Sequence, residues 1–320
     1  MRTPEENLVR AAVRAPSSHN TQPWIFRSDK DAIHLHRDPG RSLPVNDPRD
    51  REAHISCGAA LLNLRVAAPC HGLRAEVRLL PDPTDDTLLA RVELTEEGTP
   101  VSADDATLYD AITRRRTAHR AFAGRAVRDG ARDRVQQAVA REGARLQIIP
   151  ETRRKEVAAL VGEGDRRQFA DRAWRRELAH WLRPRRAGDG LTVPGPAAPL
   201  LRALVRKVNA GPRVGRRDAA LLLAAPAVAV LTTRADEPLD WLHAGQALQR
   251  GLLTLAAEGI QVSFANQPCQ VGDPLRTQLR ELLPDPEGHP QLLFRVGHPA
   301  GAAPQRSPRR PLAAVMDGRG

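Results

Sequence analysis

The sequence predicts a mixed helix-and-strand protein in which one helix-plus-strands unit occurs twice. Three observations predict it. Apolar residues follow helical spacing in some stretches and run or alternate as strands in others. An internal echo links the two halves: Gly58-Ala59-Ala60-Leu61 then Gly72-Leu73 returns as Gly245-Gln246-Ala247-Leu248 then Gly259-Ile260, with fourteen positions between the glycines each time. The echo continues in order, as Leu79-Leu80-Pro81-Asp82-Pro83 and Leu88-Leu89-Ala90-Arg91-Val92 return as Leu282-Leu283-Pro284-Asp285-Pro286 and Leu292-Leu293-Phe294-Arg295-Val296. Each match is short; their shared order favours duplication. A chain of 320 residues, 41% of them hydrophobic, is long enough for two moderate cores.

Thr3-Pro4-Glu5-Glu6 reads as a helix entry, with Thr3 as N-cap, Pro4 at the first position and Glu6 closing a capping box. The helix buries Leu8, Ala12 and Ala15, and Pro16 stops it. A polar stretch, 17–22, precedes Pro23-Trp24-Ile25-Phe26, which leads into a strand. A second strand over 32–36 follows the turn-like Ser28-Asp29-Lys30-Asp31. Then come a Pro/Asp/Arg loop, a helix over about 52–70, and strands over 74–80 and 88–94. Residues 96–105, polar and carrying Gly98 and Pro100, make the best linker. A helix beginning near Ala106 buries Leu108 and Ile112 and ends in Arg114-Arg115-Arg116-Thr117. Residues 166–217 are Arg-rich, hold Trp174 and Trp181, and include a breaker-rich run over 188–196. They read as helices joined by a long excursion able to cover a site as a lid. Residues 225–232 suit a buried strand.

Composition excludes several classes. Cys57, Cys70 and Cys269 are too few and too scattered for a disulfide framework, and no metal-ligand spacing appears, so no metal is expected. The net charge of +11 arises from 49 basic and 38 acidic residues mixed along the whole length, and only 3% of the chain is aromatic. That argues against a nucleic-acid partner. No apolar run approaches the roughly 20 residues of a membrane span, and the N-terminus has no signal-peptide pattern. The expectation is a cytoplasmic protein with no membrane partner.

Three polar clusters interrupt the apolar pattern. In Pro16-Ser17-Ser18-His19-Asn20-Thr21-Gln22-Pro23-Trp24, small hydroxyls and amides offer the mixed donors and acceptors of a ligand's polar edge. On composition alone this is an ordinary capped loop. In Arg114-Arg115-Arg116-Thr117-Ala118-His119-Arg120-Ala121-Phe122, guanidinium forks and a hydroxyl can hold a phosphate, although an Arg run is more commonly a solvated helix end. The third, Arg306-Ser307-Pro308-Arg309-Arg310-Pro311-Leu312, alone would pass for a basic tail.

Together these clusters resemble the nitroreductase family of FMN oxidoreductases, and more closely its Acg-type, fused branch. That family carries a basic motif in its first helix, an Asn-x-Gln-Pro-Trp loop about one helix later, and Arg before a terminal Pro-Leu. Here the loop, Asn20-Thr21-Gln22-Pro23-Trp24, has no basic motif before it. Arg115-Arg116-Thr117 opens the second half, which lacks the loop and ends in Arg309-Arg310-Pro311-Leu312. Thr117 stands where Ser is usual, His119 where Arg is common, and the flavin-edge segment is Phe264-Ala265-Asn266-Gln267-Pro268-Cys269-Gln270.

The resemblance implies an α+β, nitroreductase-like fold of two fused lobes, each with a central, mostly antiparallel sheet flanked by helices. The lobes would span residues 1–100, carrying the flavin ring and ribityl loop, and 101–320, carrying the phosphate site and a lid-like insertion at about 166–217. One FMN would sit between them, its phosphate clamped by Arg115, Arg116, Thr117 and Arg309. Ser17, Ser18, Asn20 and Gln22 would meet the ribityl chain and ring. The implied activity is transfer of reducing equivalents from NADPH or NADH through FMN to an electron-poor small molecule, with no side chain required as general acid or base. The fusion implies a monomer. An alternative is a protein that sequesters or senses FMN beneath the lid and turns over little, and a specialised dehydrogenase is a third reading.

Overall fold

The computed structural model describes residues 3–29, 32–96, 101–301 and 305–317. The first helix, α1 (Pro4–Ala12), starts as its capping residues require: Thr3 Oγ1 accepts from the Glu6 N–H at 3.3 Å. It ends at Ala12, short of Pro16; Ala15 is fully buried beyond the helix. Strands β1 (Trp24–Asp29) and β2 (Ala32–Arg37) pair antiparallel, and α2 (Arg51–Cys70), β3 (Leu73–Leu79) and β4 (Leu88–Glu96) follow. Lys30 and Asp31 of the expected turn, and Gly98 and Pro100 of the expected linker, lie outside the described residues. Next come α3 (Ala103–Arg114), α4 (Asp129–Ala140) and β5 (Arg145–Ile148).

Between β5 and the next strand of its sheet lie α5 (Arg154–Ala170), α6 (Arg172–Trp181), a short parallel pair β6 (Leu182–Pro184) and β7 (Leu191–Val193), α7 (Ala198–Lys207) and α8 (Gly211–Leu223). The excursion expected at 166–217 falls inside this insertion. The chain then forms β8 (Ala227–Thr233), α9 (Pro238–Ala257), β9 (Gln261–Phe264), α10 (Gln267–Val271), α11 (Leu275–Glu281), β10 (His289–Gly297) and β11 (Met316–Asp317).

One sheet runs β11-β1-β2-β4-β3 and the other β5-β8-β10-β9. The units that carry the echo match in strand order, β2-α2-β3-β4 in the first sheet and β8-α9-β9-β10 in the second, each with the last strand in the middle of its trio, but α10 and α11 stand between β9 and β10, so Leu79 ends a strand where Leu282 follows a helix. Gly72 and Gly259, at φ of 72° and 71°, end α2 and α9 in the left-handed conformation that glycine adopts at no steric cost. Gly58 and Gly245 are the point where the two helices touch. A methyl group on Gly58 would stand 2.4 Å from the Leu242 carbonyl oxygen, and one on Gly245 would stand 2.1 Å from that of Ile55. The α+β architecture with mostly antiparallel sheets flanked by helices is therefore what the chain adopts.

The cores follow the sheets. Trp24, Phe26, Leu35, Leu61 and Leu89 centre the first, and Leu231, Trp241, Leu252 and Phe294 the second. The C-terminal β11 returns to pair in parallel with β1, so the tail closes the sheet formed by the N-terminal half. Among the described residues no helix is long and apolar enough to cross a membrane.

Candidate cofactor site

The polar loop before β1 is held in a strained shape. Ser17 Oγ accepts from the Gln22 N–H at 3.0 Å, and His19, Asn20 and Gln22 sit at φ of 47°, 53° and 54°. Left-handed backbone costs a non-glycine residue about 1–2 kcal/mol, so other contacts must hold it. Asn20 Nδ2 donates to the Gly190 carbonyl at 3.2 Å and the Pro308 carbonyl at 3.3 Å, while the Gly190 N–H donates to the Asn20 carbonyl at 3.1 Å. Gln22 Nε2 donates to the Gly188 carbonyl at 2.9 Å, and its Oε1 accepts from the Arg310 N–H at 2.9 Å.

These ties wrap one wall of a cavity of about 540 Å³, within the usual size range of small-molecule sites. Its lining brings together Ser17, Ser18 and Asn20, then Arg115 and Thr117, and Arg309 from the tail. Arg185 and residues 190–192 of the insertion form a strap along it, and Phe264, at the end of β9, with Asn266 and Gln270 beyond it, adds a further wall. Two expected residues lie elsewhere. Gln22 is fully buried and outside the cavity lining, with its amide spent on the strap and tail. Arg116 caps α3 through Nη1, which meets the carbonyls of Thr113, Arg114 and Arg115 at 2.9, 3.0 and 2.7 Å. It faces a smaller hollow of about 60 Å³ that shares Arg115, Thr117 and Arg309 with the main cavity.

Positive charge is concentrated there. Arg14, Arg115, Arg116, Arg306 and Arg309 all line the hollow. Burial and then Arg116 push Arg115 down to about 10, and burial followed by Arg115 and Arg14 pushes Arg309 down to about 9. Arg14 and Arg116 are lowered by burial first and then by Arg306 among others. No carboxylate among the described residues offsets any of these shifts. Arg115 donates through Nη1 to Thr117 Oγ1 at 3.2 Å, yet its shielded Nε has no protein partner. Such a cluster can hold an anion by its electrostatics.

Glu52, which sequence reasoning missed, also lines the cavity. It is 3% exposed and accepts from Ser18 Oγ at 2.5 Å, Asn266 Nδ2 at 2.5 Å and Gln270 Nε2 at 3.1 Å, with Arg51 Nη2 3.6 Å away. An acid in the first turn of a helix is too common to have signalled this. Arg14 and Arg306 also line the hollow without having been singled out by residue type, although Arg306 stands in the basic tail. His19, whose Nδ1 is shielded without a partner, is held below its ordinary value by burial, against the opposing pull of Glu52.

Fold and site define an α+β protein with a cofactor-sized cavity that is strongly basic at one end. Two Mycobacterium tuberculosis proteins named putative NAD(P)H nitroreductases align over nearly the whole chain. One is 34% identical over 98% of this chain and 92% of its own length; the other, acg, is 27% identical over 97% and 94%. The chain belongs to the nitroreductase family. A solved structure of a putative nitroreductase from Anabaena variabilis shares the fold, with a TM-score of 0.51 and 13% identity over 84% of this chain and 69% of that one. No family model matches the sequence.

Proposed function

We propose that the chain binds one FMN in the 540 Å³ cavity and works as an NAD(P)H-dependent oxidoreductase on an electron-poor small molecule. The observation that carries this is the arginine cluster with no carboxylate partner among the described residues, adjoining a wall of hydroxyls and amides in which Glu52 is bonded to Ser18, Asn266 and Gln270. The residues fit the group: the unpaired Arg115 Nε and the charges of Arg116 and Arg306 suit a phosphate, with Thr117 beside them. Ser17, Ser18 and Asn20 line the same cavity, and in this reading Ser17 and Ser18 meet the ribityl chain and ring while Asn20, bonded to Gly190, Pro308 and Arg309, offers them only its remaining acceptor site. Gln22 and Arg309 hold the loop and tail in place. FMN, when bound, supplies reversible acceptance of two electrons between a reduced nicotinamide and the acceptor. Glu52 fixes Ser18, Asn266 and Gln270 in one orientation, and the strap excludes water from one side of the cavity.

In this reading residues 1–100 and 101–320 act as two fused lobes whose echoed helices cross as a dimer's would, and the chain works as a monomer. The relatives' names support the nicotinamide donor. A second reading, storage or sensing of FMN with little turnover, is favoured by how firmly the strap is tied. Asp189, 2% exposed, accepts from Arg41 Nη2 at 2.7 Å and Arg183 Nη1 at 3.0 Å.

An absorbance spectrum of protein titrated with FMN tests the proposal: one FMN per chain is expected, and no binding, or two tightly held flavins, overturns it. Anaerobic addition of NADPH or NADH then separates the readings. Rapid bleaching supports the oxidoreductase and inertness supports storage.

A further inference from the structure

The helix α7 (Ala198–Lys207) carries an apolar ridge with no partner among the described residues. Its inner side, Ala198, Leu201 and Val205, packs with Leu182, Leu191 and Val193 of β6 and β7. Its outer side leaves Leu200 75% exposed and Leu204 51% exposed, and Val208, just past the helix end, is 46% exposed. Spacing of four aligns Leu200 and Leu204 along one face. Scattered exposed leucines need no explanation, but two on successive turns followed by a valine form a ridge.

The ridge lies in a basic frame. No acidic residue stands between Asp189 and Asp218, while Arg202, Arg206, Lys207, Arg213, Arg216 and Arg217 all fall there. All of these except the half-buried Arg202 are exposed. Apolar side chains on a short helix that also exposes Arg206 and Lys207, in a segment with no acid, match an anionic bilayer interface, where acyl chains take the leucines and headgroups take the cations. A second copy of this chain would set basic segment against basic segment, at a net charge of +11 each. An acidic protein would answer the charge without requiring so protruding a ridge.

We propose that α7 seats this protein peripherally on anionic lipid surfaces. The expectation of no membrane partner rested on the lack of a spanning segment, which a helix lying in the interface does not need.

The test uses the full chain with phosphatidylcholine vesicles, with and without phosphatidylglycerol, read by co-sedimentation. Binding to the anionic vesicles alone is expected, lost at about 0.5 M salt as screening removes the attraction. The double variant Leu200→Glu/Leu204→Glu is expected to lower partitioning roughly tenfold or more with an unchanged thermal melt, since both side chains are solvent-exposed. Arg206→Glu/Lys207→Glu is expected to lower it by about as much. Failure of the unaltered protein to bind anionic vesicles overturns the proposal. So does equal binding to phosphatidylcholine alone, or full binding by the leucine variant. A dimer in sedimentation velocity that the leucine variant abolishes would assign the ridge to a second copy instead.

Discussion

Arg309 donates through Nη1 to Asn20 Oδ1 at 2.9 Å, joining the last basic motif to the N-terminal loop across 289 positions of sequence. The same guanidinium meets the carbonyls of Val13 at 2.5 Å, Arg14 at 3.2 Å and Ala15 at 2.8 Å, closing the turn that follows α1. Two residues expected to touch the ligand therefore spend much of their bonding capacity on each other. Arg309→Ala should lower stability by about 2–4 kcal/mol, as it strips several charge-assisted bonds at once. It should weaken FMN and riboflavin alike. Calorimetric melts with paired titrations check this, and a loss confined to FMN would return Arg309 to the phosphate.

Arg115 should behave differently, because its Nε has no protein partner to lose. Arg115→Ala is expected to weaken FMN by roughly tenfold to a hundredfold, for a charge-assisted contact worth about 1.5–3 kcal/mol. Riboflavin, with no phosphate, should bind as before. Equal losses for both ligands would place the phosphate elsewhere.

At the helix crossing, Gly245→Ala puts a methyl group 2.1 Å from the Ile55 carbonyl oxygen, so α2 and α9 must separate. A destabilisation of about 1–3 kcal/mol is expected from this overpacking. Thermal unfolding measures it. An unchanged melt would show that the crossing is looser than its backbone contact implies.

Asp165 offers a pH test. Burial, and then Asp218, raise its carboxyl to about 7, and its Oδ2 and Gln267 Oε1 are both shielded acceptors without a donor. Below about pH 4 the group is protonated folded and unfolded alike. From there to pH 7 the unfolded chain gives up the proton that the folded chain keeps, so this contribution to stability is lost as pH rises. Asp165→Asn keeps the acceptor for Gln267 Nε2, now 3.2 Å away, and removes the charge that burial and Asp218 disfavour. It is expected to raise the melting temperature at pH 8 and to flatten the slope between pH 4 and 7. A variant less stable than the parent at pH 8 would show that the carboxylate is needed in its charged form.

The strap gives a fifth test. Asp189→Ala leaves Arg41 and Arg183 without their shared carboxylate. If the strap limits access, FMN should leave faster while its phosphate contacts persist. Stopped-flow release with apo-protein as a trap would read the difference, and an unchanged rate would free the strap of that role.

The sequence by itself determined the local and the periodic. Thr3 and Pro4 start α1 through groups within one turn, and the runs at 24–29 and 227–233 are strands because their apolar side chains fit a buried sheet. The glycine echo was legible because a helix end and a close helix crossing admit little else, at Gly72 and Gly259, Gly58 and Gly245. The polar clusters were legible as candidates because hydroxyls, amides and arginines interrupt an apolar pattern. What each side chain does there was left to the tertiary structure. Gln22 and Arg309 have the right chemistry for a ligand but meet strap, tail and loop, which approach only in the folded chain. Glu52 reads as an ordinary helix-start acid until Ser18, Asn266 and Gln270 converge on it. The candidate anion site lined by Arg14, Arg115, Arg116 and Arg306 is a sum of charges from three distant segments, and a sum of that kind has no local signature because Coulomb forces act through space, not along the chain.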